Sequence, residues 1–125
     1  EQDYNSFDIK KSIEIIYGIR NFVGNANKYA KKNIYVSIKS DSETSEIVIE
    51  DDGPGFSKDI LAKIGEPYIK SLRTKDKQKA GLGLGIFIGK TLLEKNYAKI
   101  LFRNSETRGG AEIKIEWTNQ NLIRI

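Results

Sequence analysis

Apolar residues recur at helical spacing from Ile13 through Ile16, Ile19, Phe22, Val23 and Ala26 to Tyr29 and Ala30. Ile9 extends the stripe, and Phe7–Ile9 reads as a short lead-in strand. Ser12 stands where such a helix needs a cap, so the pattern predicts a long amphipathic helix from Ser12 to about Lys31 or Lys32, with Asn33 as its stop. Its polar face carries Asn21, Asn25 and Lys28. The period then changes to two. Residues 34–39 and 46–50 alternate as strands, and the polar turn Ser40 to Ser45 makes them an antiparallel hairpin. Asp51-Asp52-Gly53-Pro54-Gly55 is a sharp turn at its end. Ser57 caps a short helix to about Lys63, and Gly65-Glu66-Pro67-Tyr68 breaks the pattern.

Residues 69–80 hold Lys70, Arg73, Lys75, Lys77 and Lys79 with little apolar content, which predicts a mobile loop. Gly81-Leu82-Gly83-Leu84-Gly85-Ile86 follows as a glycine loop, and a helix runs from Phe87 to about Lys95. Residues 98–103 and 111–117 read as two more strands, turned around Arg108-Gly109-Gly110. There are no internal repeats and no linker. The order predicts one domain over residues 1–125 with an α/β (α+β) two-layer sandwich: a mixed, mainly antiparallel sheet with helices packed on one face.

Composition narrows the chemistry. A chain of 125 residues, 38% hydrophobic and 30% charged, is an ordinary globular domain with material for a single core. It has no cysteine, so no disulfide framework and no thiolate metal site. It has no histidine either, which excludes Ser-His-Asp and Cys-His catalysis within the chain and any His-ligated metal. No apolar run approaches the ~20 residues that span a bilayer. The opening Glu1-Gln2-Asp3-Tyr4 does not read as a signal peptide, and we expect a cytoplasmic domain without membrane contact. The net charge of +4 suits an anionic ligand without calling for nucleic acid.

A glycine-rich loop running into a helix presents N–H donors at the positive end of the helix dipole, which suits phosphate; a flexible loop ended by a helix reads the same way. Gly85-Ile86-Phe87-Ile88-Gly89-Lys90-Thr91 approaches a Walker A loop but is one residue short and too apolar. Gly-x-Gly-x-x-Gly fails because Ile88 stands where its third glycine belongs. Asn21 and Asn25 share a helix face, with Lys28 one turn on. Asparagine is a poor helix-interior residue. Its carbonyl can ligate Mg²⁺, although a solvated polar face fits the same residues. Asp51 at a strand end, beside glycines, can accept a hydrogen bond from the exocyclic amine of a flat base; a plain tight turn is the alternative. Asp52 adjoins it and points the other way.

In this order and spacing the three motifs resemble the GHKL, or Bergerat-fold, ATP-binding domain. Residues 21–30 look like its N box, Asp51–Gly55 like the first glycine box, Glu66-Pro67-Tyr68 like the F box and Gly81–Gly85 like the second glycine box. The resemblance covers about residues 12–117 and is greatest to sensor histidine kinases of the RegB/PrrB redox-responding type. It implies ATP and Mg²⁺ as cofactors. Asn25 would ligate the metal with Asn21 as a nearby polar contact, and Lys28 would contact phosphate, so Asn25 and Lys28 carry the catalytic roles. Tyr29 would pack beside adenine, Asp51 would accept from its amine, and Gly53 and Gly55 would shape the turn that closes over the base. Tyr68 stands in the F box, Gly81, Leu82, Gly83, Leu84 and Gly85 would wrap the phosphates, and residues 69–80 would be the ATP lid.

The resemblance also implies partners. With no histidine of its own, the chain reads as the catalytic half of a kinase whose dimerisation and phosphoacceptor domain is separate, with a response regulator as final acceptor and a homodimeric parent. The pattern departs from the family at Tyr17, where Glu or His is common, at Tyr68, where Phe is commoner, and at Ala111, where a Gly-Thr pair is usual. Other functions of the same fold remain open: a serine-kinase anti-sigma factor, an ATP-driven conformational module, or a non-catalytic nucleotide-binding domain.

Overall fold

The computed structural model describes residues 12–64 and 77–124, with side chains from residue 84 onward in the second stretch. The expected lead-in strand at Phe7–Ile9, the break at Gly65–Tyr68 and residues 69–76 of the expected lid lie outside the described residues.

Helix α1 spans Ile13–Tyr29, and Ser12 caps it as predicted: its Oγ accepts the N–H of Ile15 at 3.2 Å. The helix stops sooner than Lys31 or Lys32. The carboxylate of Asp52 accepts the backbone N–H groups of Lys31 at 2.8 Å, Lys32 at 3.1 Å and Asn33 at 3.1 Å. An ionised side chain that gathers three successive donors outcompetes the weak bonds of a fraying helix end. Ala30 accordingly turns to extended backbone.

Strands β1 (Ile34–Ser40) and β2 (Thr44–Asp51) form the predicted hairpin, in register from Ile34 opposite Asp51 to Ser40 opposite Ser45. Its turn is tighter than predicted because Asp41 Oδ1 accepts the N–H groups of Glu43 and Thr44, each at 2.8 Å. Helix α2 (Lys58–Lys63) is capped by Ser57, whose Oγ accepts from Ile60 N at 3.2 Å. Strands β3 (Lys99–Asn104) and β4 (Ala111–Thr118) follow, and a short helix α4 (Asn119–Ile123), absent from the prediction, starts on a Thr118 cap. The described sheet has the order β1-β2-β4-β3, with every pairing antiparallel.

Helix α3 corrects the prediction. It spans Lys77–Lys95, so the glycine stretch 81–86 is helical rather than a loop, and residues 77–80 are helix rather than lid. Glycine costs about 1 kcal/mol per helical position; farther along, where α3 crosses α1, close packing calls for it. A Cβ on Gly89 would stand 2.6 Å from Phe22 Cε1 and 3.0 Å from the Gly18 carbonyl, and one on Gly18 would stand 2.8 Å from Leu93 Cγ. Glycine at these crossing points lets α1 and α3 lie against each other. At its far end α3 closes through Ala98 N–H to the Leu93 carbonyl at 3.0 Å, with Tyr97 in the left-handed region at φ 73°.

The core lies between these helices and one face of the sheet. Ile49, Ile113, Ile115, Trp117 and Ile100 project from alternate strand positions toward Phe22, Ile86 and Leu93. Phe102 joins Phe22 to Phe56 by two edge-to-face contacts with centroids 5.9 and 6.4 Å apart. The outer sheet face carries ion pairs, among them Arg103 with the buried Glu112 at 2.8 Å. Helices on one side of a largely antiparallel sheet agree with the predicted sandwich.

Candidate functional site

The site is built where β2 ends. Period-two alternation puts Asp51 on the core face with Ile49, and its side chain is 2% exposed. Oδ1 accepts from Gly53 N at 2.8 Å and Ala111 N at 3.2 Å. Oδ2 has no protein partner among the described residues. A buried carboxylate with one oxygen anchored and the other unpaired is a costly arrangement unless a donor arrives. The turn demands its glycines. A Cβ on Gly53 would run into the Tyr29 carbonyl, one on Gly110 would run into Asp51, and Gly55 sits at φ +79°.

A cavity of about 270 Å³ opens onto this carboxylate. Asn25 and Tyr29 enter it from one face of α1, Gly55 and Phe56 from the turn after β2, Ile60 from α2, and Ala111 from β4. The walls are mostly apolar and the polar groups few, as in a pocket for a flat aromatic ligand. Asn25 is 9% exposed and its carboxamide has no hydrogen-bond partner among the described residues. An orphaned buried amide oxygen beside a ligand cavity fits a Mg²⁺ ion that takes most of its ligands from water and phosphate. An all-protein metal cage does not fit: no group of three His, Cys, Asp or Glu able to hold a metal occurs among the described residues.

The structure thus gathers Asn25, Tyr29, Asp51 and Gly55 around one cavity, with Gly53 supporting Asp51 from behind. Other expected residues stand apart. Asn21 donates Nδ2 to the Tyr17 carbonyl at 2.8 Å and points its Oδ1 toward Gly85. Lys28 is exposed, with Nζ 5.6 Å from the centroid of the Tyr29 ring. Leu84 is exposed on α3, and the backbone of Gly81, Leu82, Gly83 and Gly85 is helical. Tyr68 is outside the described residues. The sequence patterns missed Phe56, Ile60 and Ala111 as walls, and Asn104 as a support of the turn. Ala111 departs from the usual pair in its side chain, but its backbone N–H holds Asp51.

Residues 11–121 match the family described as histidine kinase-, DNA gyrase B-, and HSP90-like ATPase. The chain belongs to this family. Within it, the sensor histidine kinase RegB of Cereibacter sphaeroides is 31% identical over 125 residues, covering 88% of this chain and 27% of RegB. The sensor histidine kinase CpxA of Escherichia coli is 29% identical over 91 residues, 73% of this chain and 20% of CpxA. The chain therefore spans about a quarter of the length of these sensor kinases. Among solved structures, a mycobacterial sensor histidine kinase, MprB, superposes with a TM-score of 0.70 at 24% identity, over 88% of this chain and 75% of the other. The histidine kinase domain of the E. coli osmosensor EnvZ gives 0.60 at 28%, over 85% and 64%. The resemblance read from the motifs, including its RegB-like cast, is borne out, as is the fold. No described helix is long and apolar enough to cross a membrane.

Proposed function

We propose that this domain binds ATP with Mg²⁺ and donates the γ-phosphoryl group to a histidine on a separate dimerisation and phosphoacceptor domain, as one step of two-component signalling. The observation that carries the reading is the pair of buried groups on one cavity: Asp51 with Oδ2 unpaired, and Asn25 with no partner among the described residues. Asp51 accepts from the exocyclic amine of adenine, Tyr29 and Ile60 flank the ring, and Gly55 admits it close to the backbone. Asn25 holds Mg²⁺, which supplies charge neutralisation on the phosphate oxygens. Lys28 and Asn21, on outer turns of the same helix, face the phosphate end, and Tyr68 of the F-box-like segment is a further nucleotide contact in this reading. As α3 is described, the N–H groups of Gly81 to Gly85 serve helix bonds. Their use on phosphates requires the first turns of α3 to open.

Phosphoryl transfer needs mostly positioning and neutralised charge. The unprotonated imidazole nitrogen of the acceptor forms the new P–N bond as the P–O bond to ADP breaks, and the proton on the other ring nitrogen leaves on the acceptor side. The chain has no histidine, so that acceptor belongs to another domain. Tyr17, where hydrolytic relatives would place a glutamate base, favours transfer over ATP hydrolysis. A response regulator then takes the phosphoryl group, and the parent works as a cytoplasmic-facing homodimer. The test is calorimetry with ATP, with and without Mg²⁺, followed by incubation with γ-labelled ATP and the parent's histidine-bearing domain. Acid-labile label on that domain is expected. Nucleotide binding with no transfer would leave only a binding module, and no binding would overturn the reading.

A further inference from the structure

The turn that shapes the base pocket is held from outside by a residue that none of the motifs contains. Asn104 closes β3, and its carboxamide pairs with both backbone groups of Phe56: Oδ1 accepts the Phe56 N–H at 2.7 Å and Nδ2 donates to the Phe56 carbonyl at 2.9 Å. The side chain imitates a peptide unit on a neighbouring strand. Its reach is long, since 48 residues separate the pair. A Cβ on Gly55 would stand 2.7 Å from Asn104 Oδ1, so the amide lies directly against the pocket-closing glycine.

The same hairpin end holds the other end of the turn. Asn104 is the strand partner of Ala111, whose N–H holds Asp51 Oδ1. The loop between them is itself fixed: Ser105 N–H donates to the Gly110 carbonyl at 2.7 Å, and buried Ser105 Oγ donates to Glu50 at 2.6 Å. The turn from Asp51 to Phe56 is therefore gripped at its first residue by Ala111 and at its last by Asn104.

We infer that Asn104 is a positioning residue for the nucleotide base: it sets the height of Gly55 and Phe56 over the cavity while touching no ligand itself. The inference rests on the ATP reading above. Without the amide, Pro54, Gly55 and Phe56 have only the chain ends to place them, and the ordering cost falls on nucleotide binding instead.

The chemistry of a carboxamide provides a test that a general loss of stability cannot mimic. In Asn104→Asp the ionised side chain can still accept from Phe56 N–H but faces the Phe56 carbonyl with a second acceptor. Protonation restores a donor there, and with it the paired arrangement. Arg103 and Glu112 lie on the opposite sheet face, bonded to each other at 2.8 Å, and Asp51 is common to all three proteins. Affinity for ADP is measured for the wild type, Asn104→Asp and Asn104→Ala, at a temperature where all three are folded. Near pH 8 both variants should bind about tenfold more weakly than the wild type, the size expected for losing a paired hydrogen bond. As pH falls and the carboxyl takes up a proton, the Asp variant should regain part of that ratio, because only the protonated group can donate to the Phe56 carbonyl; the Ala variant should not. Equal affinity of the wild type and both variants where the carboxyl is ionised overturns the inference. So does an equal deficit in both variants that pH does not change. Failure of the wild type to bind ADP would instead count against the ATP reading.

Discussion

Ala111 donates its backbone N–H to Oδ1 of Asp51 at 3.2 Å, across 60 residues of sequence. This bond ties the start of β4 to the end of β2 and decides which oxygen of Asp51 remains available. Gly53 takes the same Oδ1 at 2.8 Å. Two donors on one oxygen leave the second with a fixed direction and no protein partner among the described residues. Orientation is thereby settled before any ligand arrives, so the ligand does not have to order the side chain itself.

Asp51→Asn tests that orientation. An amide keeps an oxygen for Gly53 and Ala111 and places its NH₂ where Oδ2 was, so the fold should survive. The substituted group is now a donor facing the exocyclic amine of adenine, another donor. Guanine offers a carbonyl oxygen at that place and gains a match. ATP affinity should fall about ten- to a hundredfold, as for loss of a charge-assisted bond, and discrimination against GTP should narrow or reverse. Competition of both nucleotides against a fluorescent analogue measures this. Unaltered preference for ATP would remove Asp51 from base recognition.

The parts of this site legible in the sequence are those carried by local spacing. Asn25 and Tyr29 lie four apart on one helix, and Asp51 and Gly55 lie within one turn, so chain geometry alone brings each pair together. The amphipathic stripe of α1 and the alternation of four strands were legible for the same reason. Asn104 was not, because nothing in a polar residue at a strand end indicates a partner 48 positions away. Nor was the early stop of α1, which depends on Asp52 reaching back to Lys31. The glycines of α3 misled in a different way. Those at 81, 83 and 85 have low helix propensity and read as a loop, and nothing local indicates that the helix predicted from Phe87 begins at Lys77.

The crossing of α1 and α3 is open to measurement with two alanines. Gly89→Ala places a methyl 2.6 Å from Phe22 and 3.0 Å from the Gly18 carbonyl. Helix propensity favours the change, but overpacking should dominate and cost about 1–3 kcal/mol. Gly24 on α1 has nothing within 4 Å of its would-be Cβ. Gly24→Ala should therefore stabilise by about 0.5–1 kcal/mol. Urea titrations of both should move the midpoint in opposite directions. Stabilisation by Gly89→Ala would mean that α1 and α3 are less closely packed than described.

Asn25→Ala separates metal from base. The buried carboxamide has no partner to strand among the described residues, so removing it leaves a small void rather than an unpaired group. Binding of ADP without Mg²⁺ should change little. The gain in affinity on adding Mg²⁺ should shrink about tenfold, the value of one charge-assisted ligand contact. Calorimetry at several Mg²⁺ concentrations gives both quantities from one protein. If the Mg²⁺ gain persists in full, the metal is held by other groups.

Asp52 stands next to Asp51 and does opposite work. It faces away from the cavity and accepts three backbone N–H groups, from Lys31, Lys32 and Asn33. Those bonds, led by the one from Lys32, hold its carboxyl below its ordinary value of 3.8. A group whose pKa is depressed by folding stabilises the native state fully above its unfolded value. It loses that contribution as pH falls through the folded value. Asp52→Asn should thus lower Tm at about pH 7, where the carboxylate is fully ionised, and the gap from the wild type should close toward about pH 2. Glu14 and Asp41 are also held low, by the Lys95 ammonium and the Thr44 N–H first, and add acid sensitivity of the same sign. They are present in both proteins and cancel in the difference. Thermal melts of the pair at the two pH values suffice. A gap that stays the same at both would mean that shape, not charge, makes Asp52 hold the end of α1.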